Sequence, residues 1–382
     1  MNILRERLAQ TFVELCEIDS PSWREKKLSI CLQKLYRGEF ADAQLAEDSS
    51  ALATGSDCNN LVVHFPGSAA LEPLFFSCHL DTVAPSIGVR VRRDGTRFYS
   101  AGDTVLGGDD KAGIAIVIEA MRYIKENSLA HAPVDFVYTT CEEVGLLGAK
   151  SLDRSLLRAK MGYALDSTGI DLAVIGAPAS SHLTIDITGA AAHAGLHPER
   201  GVSAIQLAAQ AIAGLTLGRL DHQSTANIGI VQGGKATNII PENIHIEGEV
   251  RSHDPHLLQE HVQAVRRSFE EVVAKWAPAP GAELPDDFRP ILDFGVSEEY
   301  PLMKLSPQDP VVRRVGAAAE QLGREINFIV AGGGSDANIF NGLGLPTAIL
   351  GIGMDHVHST DESIDLNDMV RTCELVISLL TS

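Results

Sequence analysis

The sequence has no pair of cysteines at CxxC spacing; its six, Cys16, Cys31, Cys58, Cys78, Cys141 and Cys373, are scattered. That excludes a thiolate zinc knot and suits reduced thiols in the cytoplasm better than a disulfide framework. No stretch approaches 18 uninterrupted apolar residues, so no membrane span is expected. Residues 1–8 alternate apolar and charged types like an amphipathic helix and hold no signal-peptide core, so no export signal is expected. Positive charge is scarce as well. Thirty-one Lys and Arg against 50 Asp and Glu leave a formal net charge of −19, the wrong sign for a nucleic-acid partner. What is present is globular: 45% hydrophobic and 21% charged residues exclude a disordered chain. At 382 residues, two domains are the default.

Three apolar runs in the first half, residues 74–78, 134–138 and 162–165, read as buried strands, and polar residues follow each. Residues 112–121 between the first two read as a buried helix. Strands alternating with helices predict a mostly parallel α/β sheet, in which ligands gather at the carboxyl ends of strands. The middle of the chain changes character. Residues 182–188, 225–231, 243–251 and 290–294 read as strands, and 202–214 and 255–275 as helices, the latter with Leu258, Val262, Val265, Phe269 and Val272 on one face. The order β-α-β-β-α-β is that of a ferredoxin-like unit. Residues 310–322 (helix) and 347–350 (strand) then resume the first pattern. The expected architecture is an α/β domain of residues 1–180 and 296–382, interrupted by an α+β domain of residues 181–295.

Polar residues cluster where the apolar runs end. In His79-Leu80-Asp81 an imidazole and a carboxylate two residues apart on an extended segment face one side, and both suit zinc. An isolated HxD is more often a strand-end His with a capping Asp. Asp109 and Asp110 follow two glycines and run into a helix, where an N-cap explains one acid equally well. A two-oxygen carboxylate is nevertheless what bridges cations about 3.5–4 Å apart. In Glu142-Glu143 the side chains point in different directions, so one can ligate while its neighbour takes a proton from water. Asp166 ends the next run. His356 and His358 compete in the segment before Ser359-Thr360-Asp361-Glu362. Each element is weak alone, and their joint order is the signal.

That order resembles the M20 metallopeptidases, in their peptidase T-like branch. The resemblance spans essentially the whole chain and is carried by SCHLDTV (77–83), GGDDKAGIA (107–115), CEEVGLLGA (141–149), GAAAHAG (189–195) and GGKATNIIPENIHIEGEVRSHD (233–254). It implies a zinc-exopeptidase-like catalytic domain holding two divalent metal ions, most readily Zn2+, with Mn2+ or Co2+ able to use the same donors. By motif, Asp109 bridges the metals, His79 and Asp166 complete one, and Glu143 and His358 complete the other. Glu142 is the general base, and Asp81 is the outer carboxylate that orients His79. His193 reaches a neighbouring subunit's site and stabilises the oxyanion, which makes the inserted domain a lid and homodimer interface. Asn238 and Arg251 resemble substrate-carboxylate contacts, although Arg251 could instead pair with Glu249 or Asp254 on the surface. Gly333 and Gly334 resemble a loop lining the substrate pocket, with a turn before a helix as the plainer alternative. Cys78 and Cys141 receive no catalytic role.

The implied activity is cleavage of short peptides by a cytoplasmic aminopeptidase acting on tripeptides or dipeptides. In the family, Asp at the position of Asp166 accompanies amino- and dipeptidases. The runner-up is a deacylase of N-acyl amino acids or a carboxypeptidase-type enzyme, for which Arg251 would serve equally well. A non-catalytic, metal-dependent peptide-binding protein would have lost its base, and Glu142 is present.

Overall fold

The computed structural model describes residues 1 and 3–382, which divide into two compact units: 1–177 with 303–382, and 178–302. In the first unit, strands Val134–Thr139, Leu74–His79, Gly162–Thr168 and Thr347–Asp355 lie side by side and parallel at the centre of a 12-stranded sheet. Strands Leu74–His79 and Val134–Thr139 are buried throughout, which explains why they read as unbroken apolar runs rather than alternating ones. Antiparallel strands flank this centre, Leu61–Phe65 on one side and Ser363–Asp365 on the other.

Helix Gly108–Glu126 is the core element of this unit: Ile114, Ile116, Val117, Ile118 and Met121 are fully buried, each stabilising the fold by about 1.5–3 kcal/mol. It packs against helices Arg5–Cys16 and Leu366–Thr381 as well as the sheet. Its close approach to the strands depends on Gly113. A Cβ there would sit 2.9 Å from the Leu165 carbonyl oxygen and 3.0 Å from Cys78 Sγ. Good helix formers predict residues 112–121; the helix in fact starts earlier, with Asp109 and Asp110 in non-helical conformation inside its first turn.

In the second unit, strands Ser224–Gly233, Asn243–Ser252, Ala179–Thr188 and Ile291–Tyr300 form an antiparallel sheet in that spatial order, the arrangement of a ferredoxin-like unit. Helices Ala204–Ala213 and Pro255–Lys275 pack on it, burying Leu207, Ala208, Leu258, Val262, Val265 and Phe269 against Ile185, Ile246 and Val250. Asp254 caps the long helix by accepting from the backbone N–H of His256 (2.8 Å) and Leu257 (3.3 Å). The unit starts and ends outside the expected limits of 181 and 295, because its first and last strands, Ala179–Thr188 and Ile291–Tyr300, extend beyond the segments read as strands. Ile291–Tyr300 is an edge strand whose second half, Val296 to Glu298, is exposed. Its apolar pattern stops while its pairing with Leu183, His182 and Ser181 continues. Among the described residues, no helix is long and apolar enough to cross a membrane.

Candidate active site

The parallel strands deliver polar side chains to one edge of the sheet. His79 is the last residue of its strand and pairs in register with Thr139, three residues before Glu142. Asp166 lies near the end of Gly162–Thr168, Asp109 in the first turn of Gly108–Glu126, and His358 just after Thr347–Asp355. This is the carboxyl-end edge, where open parallel sheets place their ligands. His358 takes a left-handed φ of +61°, which a non-glycine residue adopts only under local constraint.

These residues meet in one place. His79 Nε2 lies 3.0 Å from Asp109 Oδ1 and 3.9 Å from Asp166 Oδ1. His358 Nε2 lies 3.3 Å from Asp109 Oδ2 and 3.1 Å from Glu143 Oε2. Two donor triads therefore form, His79–Asp109–Asp166 and His358–Asp109–Glu143, and Asp109 offers one oxygen to each. Glu142 is grouped with His79 and Glu143 in a third set. His356 belongs to none of these donor sets and lies 3.2 Å from Asp355.

Asp81 sits behind the cluster, fully buried. Its carboxylate accepts from the backbone N–H of Glu142 (2.9 Å) and Glu143 (3.1 Å) and from Ser22 Oγ (2.7 Å). The closest partner of His79 Nδ1 is the Asp81 carbonyl oxygen at 3.0 Å, with the carboxylate at 3.5 Å. An Nδ1–H given to that carbonyl leaves Nε2 with its lone pair facing the carboxylates.

The electrostatics call for cations. Burial raises the Glu142 carboxyl well above the usual range, and the Asp166 charge pushes it the same way. Burial and Asp109 do the same to Asp166. Hydrogen bonds to Asp109 and Glu143 raise His358 to about 10. Asp109 is held low: burial opposes its charge, but the hydrogen bonds to His358 and His79 prevail. Without bound cations, protons on the imidazoles supply the positive charge that the carboxylates require. Glu143 Oε1 is buried with no hydrogen-bond partner, which an oxygen reserved for a metal explains. Imidazole and carboxylate donors in two triads sharing one carboxylate fit two divalent ions.

Residues 75–382 match the model of peptidase family M20/M25/M40. The chain belongs to this family. It is an M20 metallopeptidase, an enzyme. Its fold superposes on a tripeptidase from Staphylococcus aureus with a TM-score of 0.89, at 35% identity over 99% of this chain and 98% of that one. An aminopeptidase PepT from Bacillus cereus gives 0.86, at 37% identity over 99% and 98%. The protein YqjE of Bacillus subtilis, described as uncharacterised, is 36% identical over 98% of both chains.

The remaining residues singled out in this M20 sequence are placed as follows. Gly333 and Gly334 are half-buried in the loop before helix Asp336–Gly342 of the first unit. His193, Asn238 and Arg251 belong to the second. There His193 and Asn238 are neighbours: the short strand Ala192–His193 pairs with Ile239–Ile240, and Ala194 N–H donates to the Asn238 carbonyl at 2.9 Å. Arg251 donates to Glu249 at 2.8 Å, the surface pairing weighed from sequence, while its Nε is buried without a partner.

Three buried acids received no functional role in the sequence reading. Glu362 takes the backbone N–H of Gly107 (2.8 Å) and Asp109 (3.0 Å) and so fixes the turn that presents Asp109. Asp110 Oδ2 accepts the His79 backbone N–H at 3.2 Å. Asp336 accepts from Thr139 Oγ1 at 2.5 Å, and burial raises it to about 6. All three lie inside or beside segments already notable for other residues, and that adjacency was the available signal.

Proposed function

We propose that this M20 enzyme is an aminopeptidase of tripeptides or dipeptides that works with two divalent cations, zinc by donor type, and with Glu142 as general base. One observation carries the reading: two donor triads share Asp109 while Glu142 stands beside them uncommitted to either. His79, Asp109 and Asp166 would hold one cation, and His358, Asp109 and Glu143 the other. Bound there, the pair would polarise the scissile carbonyl and acidify a shared water. Glu142 takes the proton of the attacking water and returns it to the leaving amine. A carboxyl whose burial favours its protonated form is suited to carrying a proton between the two transfers. Asp81 fixes the direction of both glutamates through their N–H groups.

In the same proposal His193 donates to the developing oxyanion from a second subunit, with the inserted unit as lid and dimer contact. Its Nδ1 accepts the backbone N–H of Gly195 and Leu196, both at 3.2 Å, which places the neutral ring's proton on the outward Nε2. Asn238 and Arg251 then hold the substrate carboxylate, and Gly333 and Gly334 line its pocket. The names of the two similar structures, a tripeptidase and an aminopeptidase PepT, support the substrate class. The six free cysteines and the absence of a spanning helix among the described residues fit work in the cytoplasm.

The test pairs two measurements. Glu142→Ala is expected to keep its metal and its fold while kcat drops about 10²- to 10⁴-fold; near-normal turnover would remove the assignment. A free-amine tripeptide is expected to be cleaved and its N-acetylated form refused. Preference for the blocked peptide would favour the deacylase alternative.

A further inference from the structure

The loop that carries the proposed base is held by a residue far away in sequence. Three consecutive backbone N–H groups, those of Cys141, Glu142 and Glu143, all point at buried carboxylates. Asp81 takes the last two. The first goes to Glu25 Oε1 at 3.0 Å, and Cys141 Sγ lies 3.3 Å from the same oxygen. Successive N–H groups form a concave site for an anion, and here the anions are the protein's own. Glu25 is fully buried. Its position is over-determined: Oε1 also accepts Trp23 N–H at 3.0 Å, and Oε2 accepts from Ser56 Oγ at 2.6 Å. Ser22, on the same short segment, donates to Asp81, so residues 22–25 grip both carboxylates.

Cys141 needs this support. It adopts a left-handed φ of +53° immediately before Glu142, a conformation disfavoured for any residue with a side chain. Glu25 is also within reach of Asp57 and Cys58, but its Oε1 is engaged by three donors, Trp23 N–H, Cys141 N–H and Cys141 Sγ, and its Oε2 by the Ser56 hydroxyl.

We infer that Glu25 is a positioning residue for the reaction: its carboxylate fixes the Cys141 backbone in the left-handed turn that aims Glu142. The inference rests on Glu142 as general base. What matters is an acceptor at the Oε1 position and not the charge. Glu25→Gln can keep its carbonyl there and turn its amide toward Ser56, whose hydroxyl can accept. Glu25→Asp keeps the charge but withdraws the acceptor by about one bond length, 1.5 Å. Glu25→Ala removes it.

The expected order of kcat is therefore wild type, then Glu25→Gln close behind, then Glu25→Asp and Glu25→Ala lower by about a hundredfold. KM should stay within about twofold, because the peptide-binding groups are untouched. Metal content, measured by elemental analysis, should stay at the wild-type level, because Asp81 still holds Glu143. A general loss of packing would instead rank the variants by melting temperature, and it would not separate kcat from KM. Should Glu25→Ala fail to fold, Glu25→Asp and Glu25→Gln decide alone. Wild-type kcat in Glu25→Asp, equal losses in Glu25→Gln and Glu25→Asp, or a loss confined to KM or metal content would overturn the role. Glu142→Ala is assayed alongside: wild-type turnover in that variant refutes the base itself, whereas its inactivity with a normal Glu25→Asp refutes only Glu25.

Discussion

Glu362→Gln isolates the support of the shared carboxylate without touching a ligand. Glu362 is 2% exposed and spends its two oxygens on two N–H groups, Gly107 at 2.8 Å and Asp109 at 3.0 Å. Glutamine has nearly the same shape but only one carbonyl oxygen. Its amide must therefore oppose one of the two N–H donors at hydrogen-bond distance. Hydrogen bonds to a charged acceptor contribute about 1.5–3 kcal/mol each, so one is lost and a repulsive contact replaces it. The turn can relieve that contact by shifting, and Asp109 shifts with it. At about 1.4 kcal/mol per decade, the lost bond corresponds to roughly 10- to 100-fold weaker metal binding. Purified protein would be titrated with a graded chelator while residual metal and peptide cleavage are both followed. The variant's midpoint should fall to correspondingly lower chelator concentration, and excess metal should restore most of its activity. An unchanged midpoint would mean that Asp109 is held by other forces and that the argument from these two hydrogen bonds is wrong.

Metal removal should leave the protein sensitive to alkali. In the stripped site the folded pKa values of His79 and His358 are raised, as are those of Glu142 and Asp166. For raised groups, stability is fully present below the unfolded pKa and is lost as pH rises through the folded one. Stripped protein should thus melt progressively lower as pH rises, from about pH 4 for the two carboxyls and from about 6.5 for the histidines, toward the His358 value of about 10. Thermal melts across that range check this, and a flat profile would contradict it. Gly113→Ala should cost about 1–3 kcal/mol, since its Cβ would lie 2.4 Å from Asp110 Oδ1 and meet the Leu165 carbonyl behind it. The displaced Asp110 also releases the His79 N–H, so kcat should fall with the denaturation midpoint; an unaffected variant would show that the helix can retreat freely.

How much of this was legible in the sequence depended on which side of a residue its function faced. His79, Asp109, Glu142, Glu143, Asp166 and His358 stood out because each follows or precedes an apolar run, and fully buried strands and helices write such runs plainly. The ferredoxin-like order was legible for the same reason, whereas the outer half of Ile291–Tyr300 was not: an exposed edge strand needs no apolar pattern to pair. Glu25, Asp110, Glu362 and Asp336 were illegible because a carboxylate that accepts from its own protein's backbone or a hydroxyl has no preferred neighbour in sequence. Which of Asp81's groups meets His79 depends on a turn of the main chain and so could not be read from HxD.

The acidity of the chain then takes on a different meaning. Asp81, Asp109, Asp110, Asp135, Asp336, Glu25, Glu119, Glu142 and Glu362 are all buried, with Lys111 as the one buried lysine or arginine among the described residues. Burying so many carboxylates would be prohibitive unless each met a donor or an opposite charge. Most do. Asp135 accepts the N–H groups of Arg158 and Ala159 and faces His64, Glu119 pairs with Arg7 at 2.8 Å, and Asp81, Glu362 and Glu25 each collect two or more donors. The exceptions are confined to one place. Around Asp109, acids face other acids and the two histidines, and backbone donors are few, so the compensation there has to come from outside the chain. By that criterion the metal site is distinguished from the other buried acids by what its oxygens lack.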